Sequence, residues 1–189
     1  AVKGINDRGL SYASPWEWSY DPSFERIVFH ELYVLRGKEK IDHLLKKNFE
    51  IIQREENLSR ATYDGSLSVI VNLKNVRAGD IVVLAYSRKG RNPVFKNHYF
   101  KMYNFNYAFP IAKIAVRILA HENRKLQFKN FENVPEVVTT KKGTLNEYVW
   151  QAEDVQAVFD DDRSPNWYNP NSRVQISDFN DWDEFSRWT

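Results

Sequence analysis

Leu67, Val69, Val71 and Leu73 alternate with Ser68, Ile70, Asn72 and Lys74. A period of two, rich in β-branched residues, predicts a strand with one face in a core. Ile70 marks a second face that is not fully wet. The turn Arg77-Ala78-Gly79-Asp80 follows, and then an unbroken apolar run from Ile81 to Tyr86. Such a run suits a central strand covered on both faces. Asp64-Gly65 before the pair is a turn signal, and Gly90 with Asn92-Pro93 stops it, because proline offers no ladder donor. The stretch Tyr63 to Phe95 therefore reads as two strands joined by a tight connection, the heart of a β-sheet. Nothing in it demands chemistry.

The same period recurs along the chain. Tyr12, Trp16, Trp18 and Tyr20 share one parity in a strand interrupted near Pro15. Glu25 to Arg36 is a strand with Ile27, Phe29, Tyr33 and Leu35 on one face, and Glu31 breaks that face, which predicts a place near an edge. Gly37 to Lys40 is a hairpin-like connection. Ile41 to Leu44 reads as extended and Phe49 to Arg54 as a strand, although the apolar spacing there also fits a helix. Asn57 to Tyr63 fits one helical turn with Asn57 as its cap. Tyr99 to Phe109 and Ala112 to His121 are strands, the second with Ile114, Val116 and Ile118 facing in. Leu126 and Phe128 lie in a shorter strand. Lys141-Lys142-Gly143 is the tip of a hairpin from Val137 to Trp150, and Val174 and Ile176 form a brief strand. In the tail, Trp182, Phe185 and Trp188 recur at spacings of three, as in a short amphipathic helix.

Many short strands separated by Gly, Pro, Asn and Asp turns predict an all-β fold. The expected architecture is an antiparallel β-sandwich with a short C-terminal helical tail, with a closed barrel as the alternative. Residues 1–176 form the sandwich domain, and 177–189 a linker or tail leading to a downstream domain beyond this chain.

Composition narrows the function classes. The chain has 189 residues, and 27 Lys and Arg against 25 Asp and Glu leave a net charge of +2. That balance argues against a dedicated nucleic-acid binder. Cysteine is absent, which removes disulfides, thiolate metal sites and cysteine nucleophiles together. No apolar run reaches the length of a transmembrane helix. Ala1-Val2-Lys3-Gly4 shows neither a signal peptide nor a Met, as in a processed or trimmed fragment.

Candidate chemistry is thin. His30, His43, His98 and His121 lack short metal-ligand spacing, and Asp160-Asp161-Asp162 lacks the alternation of a calcium loop, so a solvated loop is the better reading. No nucleophile elbow, phosphate loop or zinc-protease motif occurs. A hydrolytic pair among the 25 acids is not singled out by any pattern. No catalytic residue, cofactor or metal is expected. Trp16, Trp18 and Trp167 are candidates for stacking on sugar rings, weighed against an ordinary aromatic core face. Trp182, Phe185 and Trp188 are candidates for an interface, because an apolar stripe near a chain end expects a partner, either this domain or another.

Several stretches, in order, carry a resemblance. They are Tyr20-Asp21-Pro22-Ser23, Leu35-Arg36-Gly37-Lys38, Tyr63-Asp64-Gly65-Ser66-Leu67, Val76 to Ile81, Gly90 to Phe95, Ile176-Ser177-Asp178-Phe179 and Trp182 to Trp188. The chain resembles the bacterial domain of unknown function 3857, which commonly stands before a transglutaminase-like, papain-like domain. The resemblance implies a non-catalytic β-domain of a larger exported bacterial protein, periplasmic or secreted, whose partner is that downstream domain. A protein or glycan ligand is a further expected partner. The Cys-His-Asp chemistry of such a neighbour needs a thiolate, which this chain cannot supply.

Overall fold

The computed structural model describes residues 1–4, 14–53, 65–159, 165 and 168–188. Expectations at Asn6 to Tyr12, Asn57 to Asp64, Asp160 to Asp162 and Trp167 lie outside them. The chain is all-β, with antiparallel sheets and, among the described residues, one short α-helix near the C-terminus. It falls into two compact units, Ala1–Lys96 and Asn97–Thr189, a boundary that the alternation of side chains does not mark. Among the described residues no helix is long and apolar enough to cross a membrane.

The first unit contains β1 (Val2–Lys3), β2 (Trp16–Tyr20), β3 (Glu25–Arg36), β4 (Glu39–Asp42), β5 (Phe49–Gln53), β6 (Leu67–Val71) and β7 (Ile81–Gly90). They form two sheets, ordered β1-β7-β3-β4 and β2-β6-β5. Leu32, Val34 and Val82 from the first sheet share one buried cluster with Val69 and Val71 from the second. This corrects the reading of Tyr63 to Phe95 as one paired sheet. β6 pairs with β2 and β5, whereas β7 pairs with β1 and β3. The connection through Leu73 crosses the core instead of turning back on the same sheet. Alternation reports which face is buried, not which strand lies alongside.

β3 shows a second departure. Its register against β7 shifts between Phe29 and Glu31. Ile27 and Phe29 face inward before the shift, and Leu32 and Val34 are the buried residues after it. A bulge adds one residue and so exchanges the two faces. The break at Glu31 therefore reports a bulge within a strand paired on both sides further along, just beyond the residues that β4 covers.

The second unit contains β8 (Phe100–Asn104), β9 (Ile111–His121), β10 (Gln127–Phe131), β11 (Val138–Lys142), β12 (Leu145–Val155), β13 (Arg173–Ser177) and α1 (Trp182–Trp188). Its sheets are ordered β10-β13-β8 and β11-β12-β9. Phe105, Trp150, Val174 and Ile176 are buried between them, with Ile114, Val116 and Ile118 packed alongside. The run from Tyr99 to Phe109 is a strand only as far as Asn104. Beyond it Phe105 and Asn106 are buried while Tyr107 and Phe109 are exposed.

Candidate interaction surface

The tail is held by its own local chemistry. Asp181 accepts from the Glu184 N–H at 2.8 Å, and Glu184 reaches back to accept from the Asn180 N–H at 2.7 Å. The first bond satisfies an N–H that the helix start leaves without a partner, and the second ties Asn180, just before the cap, to the first turn. Arg187 lies in the last turn, where the helix dipole favours a cation. The spacing of three then puts Trp182, Phe185 and Trp188 on one side, with ring centroids 5.6 Å apart for the first pair and 5.9 Å for the second.

The segment before the helix is tied down more firmly. The Asp178 N–H donates to Tyr99 O, and its Oδ1 accepts from the Tyr99 N–H at 2.9 Å. Its Oδ2 takes an ion pair from Arg124 Nη1 at 2.8 Å, and His98 Nδ1 lies 3.3 Å from Oδ1. Gln127 Nε2 donates to both Phe179 O and Asn180 O at 2.9 Å. Phe179 is buried and stacks on His98 with centroids 4.0 Å apart. Around it stand Phe185 at 5.3 Å, Trp188 at 5.7 Å and Phe100 at 6.1 Å. An aromatic cluster of this geometry contributes beyond its buried area.

The three tail residues expected at an interface are thus brought together but have separate fates. Phe185 and Trp188 are half-buried against the second unit itself, while Trp182 is 81% exposed. His98, Arg124 and Asp178 border an open depression with Asn97, Asn123, Lys125 and Asn180. Sequence reasoning passed over His98 and Arg124, because their partner Asp178 is about eighty and fifty residues away. The signal that pointed there was Asp178 within Ile176-Ser177-Asp178-Phe179. The carboxylate of Asp178 is engaged on both oxygens by these contacts, which makes the group a latch.

The other candidates lie in the first unit. Trp16 and Trp18 are half-buried and pack against its core. Trp18 meets Phe29 at 5.5 Å and Tyr86 at 5.1 Å. These two rings do not form an exposed strip, and Trp167 lies outside the described residues. Among the described residues no group of three or more His, Asp or Glu is placed to hold a metal ion.

A family model for a domain of unknown function, DUF3857, matches residues 1–159. The chain belongs to the DUF3857 family. A search of curated proteins finds no match. Among solved structures, the crystal structure of "a putative protease from Parabacteroides distasonis ATCC 8503" superposes with a TM-score of 0.79 and 15% sequence identity. The superposition covers 90% of this chain and 34% of that one, so the chain spans about a third of that protein's length. At this identity the likeness is one of fold.

Within the DUF3857 match, two stretches that carried the resemblance meet in space. Arg36 Nε donates to Asp80 Oδ1 at 3.0 Å and Nη2 to Oδ2 at 2.8 Å. The Arg77 N–H also donates to Oδ2 at 2.8 Å. The hydrogen bond from Arg36 holds the Asp80 carboxyl below its usual range, against the burial that opposes ionisation. This pair closes the loop between the two sheets of the first unit, a structural role for those DUF3857 residues.

Proposed function

We propose that this chain is a non-catalytic accessory domain of a larger, exported bacterial protein. It works beside a transglutaminase- or protease-like domain, packing against it or presenting substrate or a partner protein to it. The observation that carries the reading is the fold match to one third of a protein described as a putative protease. The absence of cysteine agrees with a chain that lends shape to a thiolate enzyme without performing the step. Exposed Trp182, beside the anchored Phe185 and Trp188, is the first residue to examine for contact with that neighbour. The glycan-binding alternative draws no support from Trp16 and Trp18, whose rings pack inward.

The test is the intact mass of the natural polypeptide, followed by a peptidase and transglutaminase assay with and without this region. The expected outcome is a mass well above 22.4 kDa, activity in the longer chain, and none in the present one. A natural product of about this mass, or turnover by this chain alone, would overturn the reading. Saturable quenching of tryptophan fluorescence by a polysaccharide would favour the glycan alternative.

A further inference from the structure

Among the described residues, the second unit leaves one long strand edge open. β9 spans Ile111–His121 and finds its ladder partner, β12, on one side only. In an antiparallel strand every second residue turns its N–H and C=O away from a given neighbour. Among the described residues, no backbone group from 112 to 120 makes a hydrogen bond outside the β12 ladder. The other edge strands of this unit, β8, β10 and β11, are five residues each. Long edges are commonly shielded by charged side chains or kept short. The cations of β9 are drawn the other way, back over their own sheet. Lys113 Nζ donates to Glu153 at 2.9 Å and Arg117 Nε to Glu147 at 2.6 Å, both acids on β12.

Next to this edge is β8, the end strand of the facing sheet. Between them is an open cavity of about 410 Å³, bordered by Met102, Tyr103 and Tyr107 on one side and by Ile114, Val116 and Arg117 on the other. Met102 and Tyr107 are exposed, as is Leu119 further along β9. No carboxylate lines the cavity among the described residues. Glu147 answers Lys142 as well as Arg117, so the three side chains carry a net positive charge. The Nη groups of Arg117 have no further partner among the described residues.

We propose that the β9 edge takes an extended peptide by strand addition, with an apolar side chain of the peptide in the cavity and a carboxylate against Arg117. Backbone bonds to the free edge supply affinity, and alternate side chains supply selectivity. Met102, Ile114 and Val116, within a lining that also holds Asn104 and two tyrosines, favour valine- or isoleucine-like residues at every second position, and the unanswered positive charge favours acidic residues between them. The proposal rests on the second unit's own fold. It stands whether or not a protease-like domain adjoins the chain, so the two readings fail separately.

The test titrates the whole chain with a fluorescein-labelled octapeptide alternating valine and glutamate. Saturable binding is expected, together with slowed amide exchange confined to residues 112–120. Replacing the peptide's glutamates by glutamine should weaken binding about tenfold, and this difference should vanish in Arg117→Gln. N-methylation of one alternate set of peptide nitrogens should abolish binding, and of the other set leave it intact. No saturable binding to millimolar concentration would overturn the proposal, as would slowed exchange elsewhere. So would a free chain that already protects β9 by pairing with a second copy, seen as a dimer in sedimentation.

Discussion

Glu147 lies on the face of β12 opposite Tyr148 and Trp150, yet it is almost entirely covered. What covers it is its own set of donors. Lys142 Nζ, Arg117 Nε and Thr140 Oγ1 all reach its carboxylate within 2.9 Å. These bonds, led by that from Lys142, hold its pKa down at about 2, from an ordinary value of 4.5. The folded state thus binds this proton less readily than the unfolded state. The stabilisation is complete above about pH 4.5 and is lost as pH falls through about 2. Glu147→Gln should therefore lower the urea midpoint at pH 7. The gap from the wild type should narrow as pH drops from 4.5 towards 2. A gap that is constant across that range would show that the carboxylate charge contributes nothing. Arg117 and Lys142 are each more than half exposed, so added salt should reduce the difference as well.

At the scale of the element, Gly90 ends β7 with a φ of 101° and pairs with Glu25. A Cβ at this position would lie 1.9 Å from Phe24 O, a backbone atom that cannot swing aside. Gly90→Ala should cost about 2 kcal/mol or more, read as a fall in the denaturant midpoint. An unchanged midpoint would mean that the end of β7 can be remodelled freely. The elements legible in the sequence share a cause. β3, β9 and the β11–β12 hairpin are long or locally paired, and their alternation is set by residues close in the chain. The bulge at Glu31 was visible only as a broken face, because parity cannot tell an edge from an extra residue. The pairings of β6 with β2 and of β7 with β3 were not legible, since each reaches across about fifty residues. The tail stripe was legible from its spacing of three, but its docking was not. That depends on His98 stacking on Phe179 and on Asp178 meeting Arg124.

At the scale of the whole molecule, each unit has its own buried cluster, Leu32 to Val82 in the first and Phe105 to Ile176 in the second. A unit with its own core can in principle fold alone. A polypeptide of residues 97–189 should therefore unfold in one cooperative transition with dispersed amide signals. A gradual transition with collapsed signals would place part of its stability outside those residues.

The crossing between sheets in the first unit has a further consequence, in the order of assembly. Val2 pairs with Val82, and β3 pairs along most of its length with β7. During synthesis β1 and β3 therefore leave the ribosome well before β7 exists. Pairings this distant must close large loops before any ladder forms, which slows folding and prolongs the exposure of strand edges. Before Ile81 to Gly90 emerges, the β3–β4 hairpin and the β2-β6-β5 sheet can already pair. The face of that sheet which packs on Val82 and the β7 side of β3 nonetheless stay uncovered, an exposure that favours aggregation until β7 arrives.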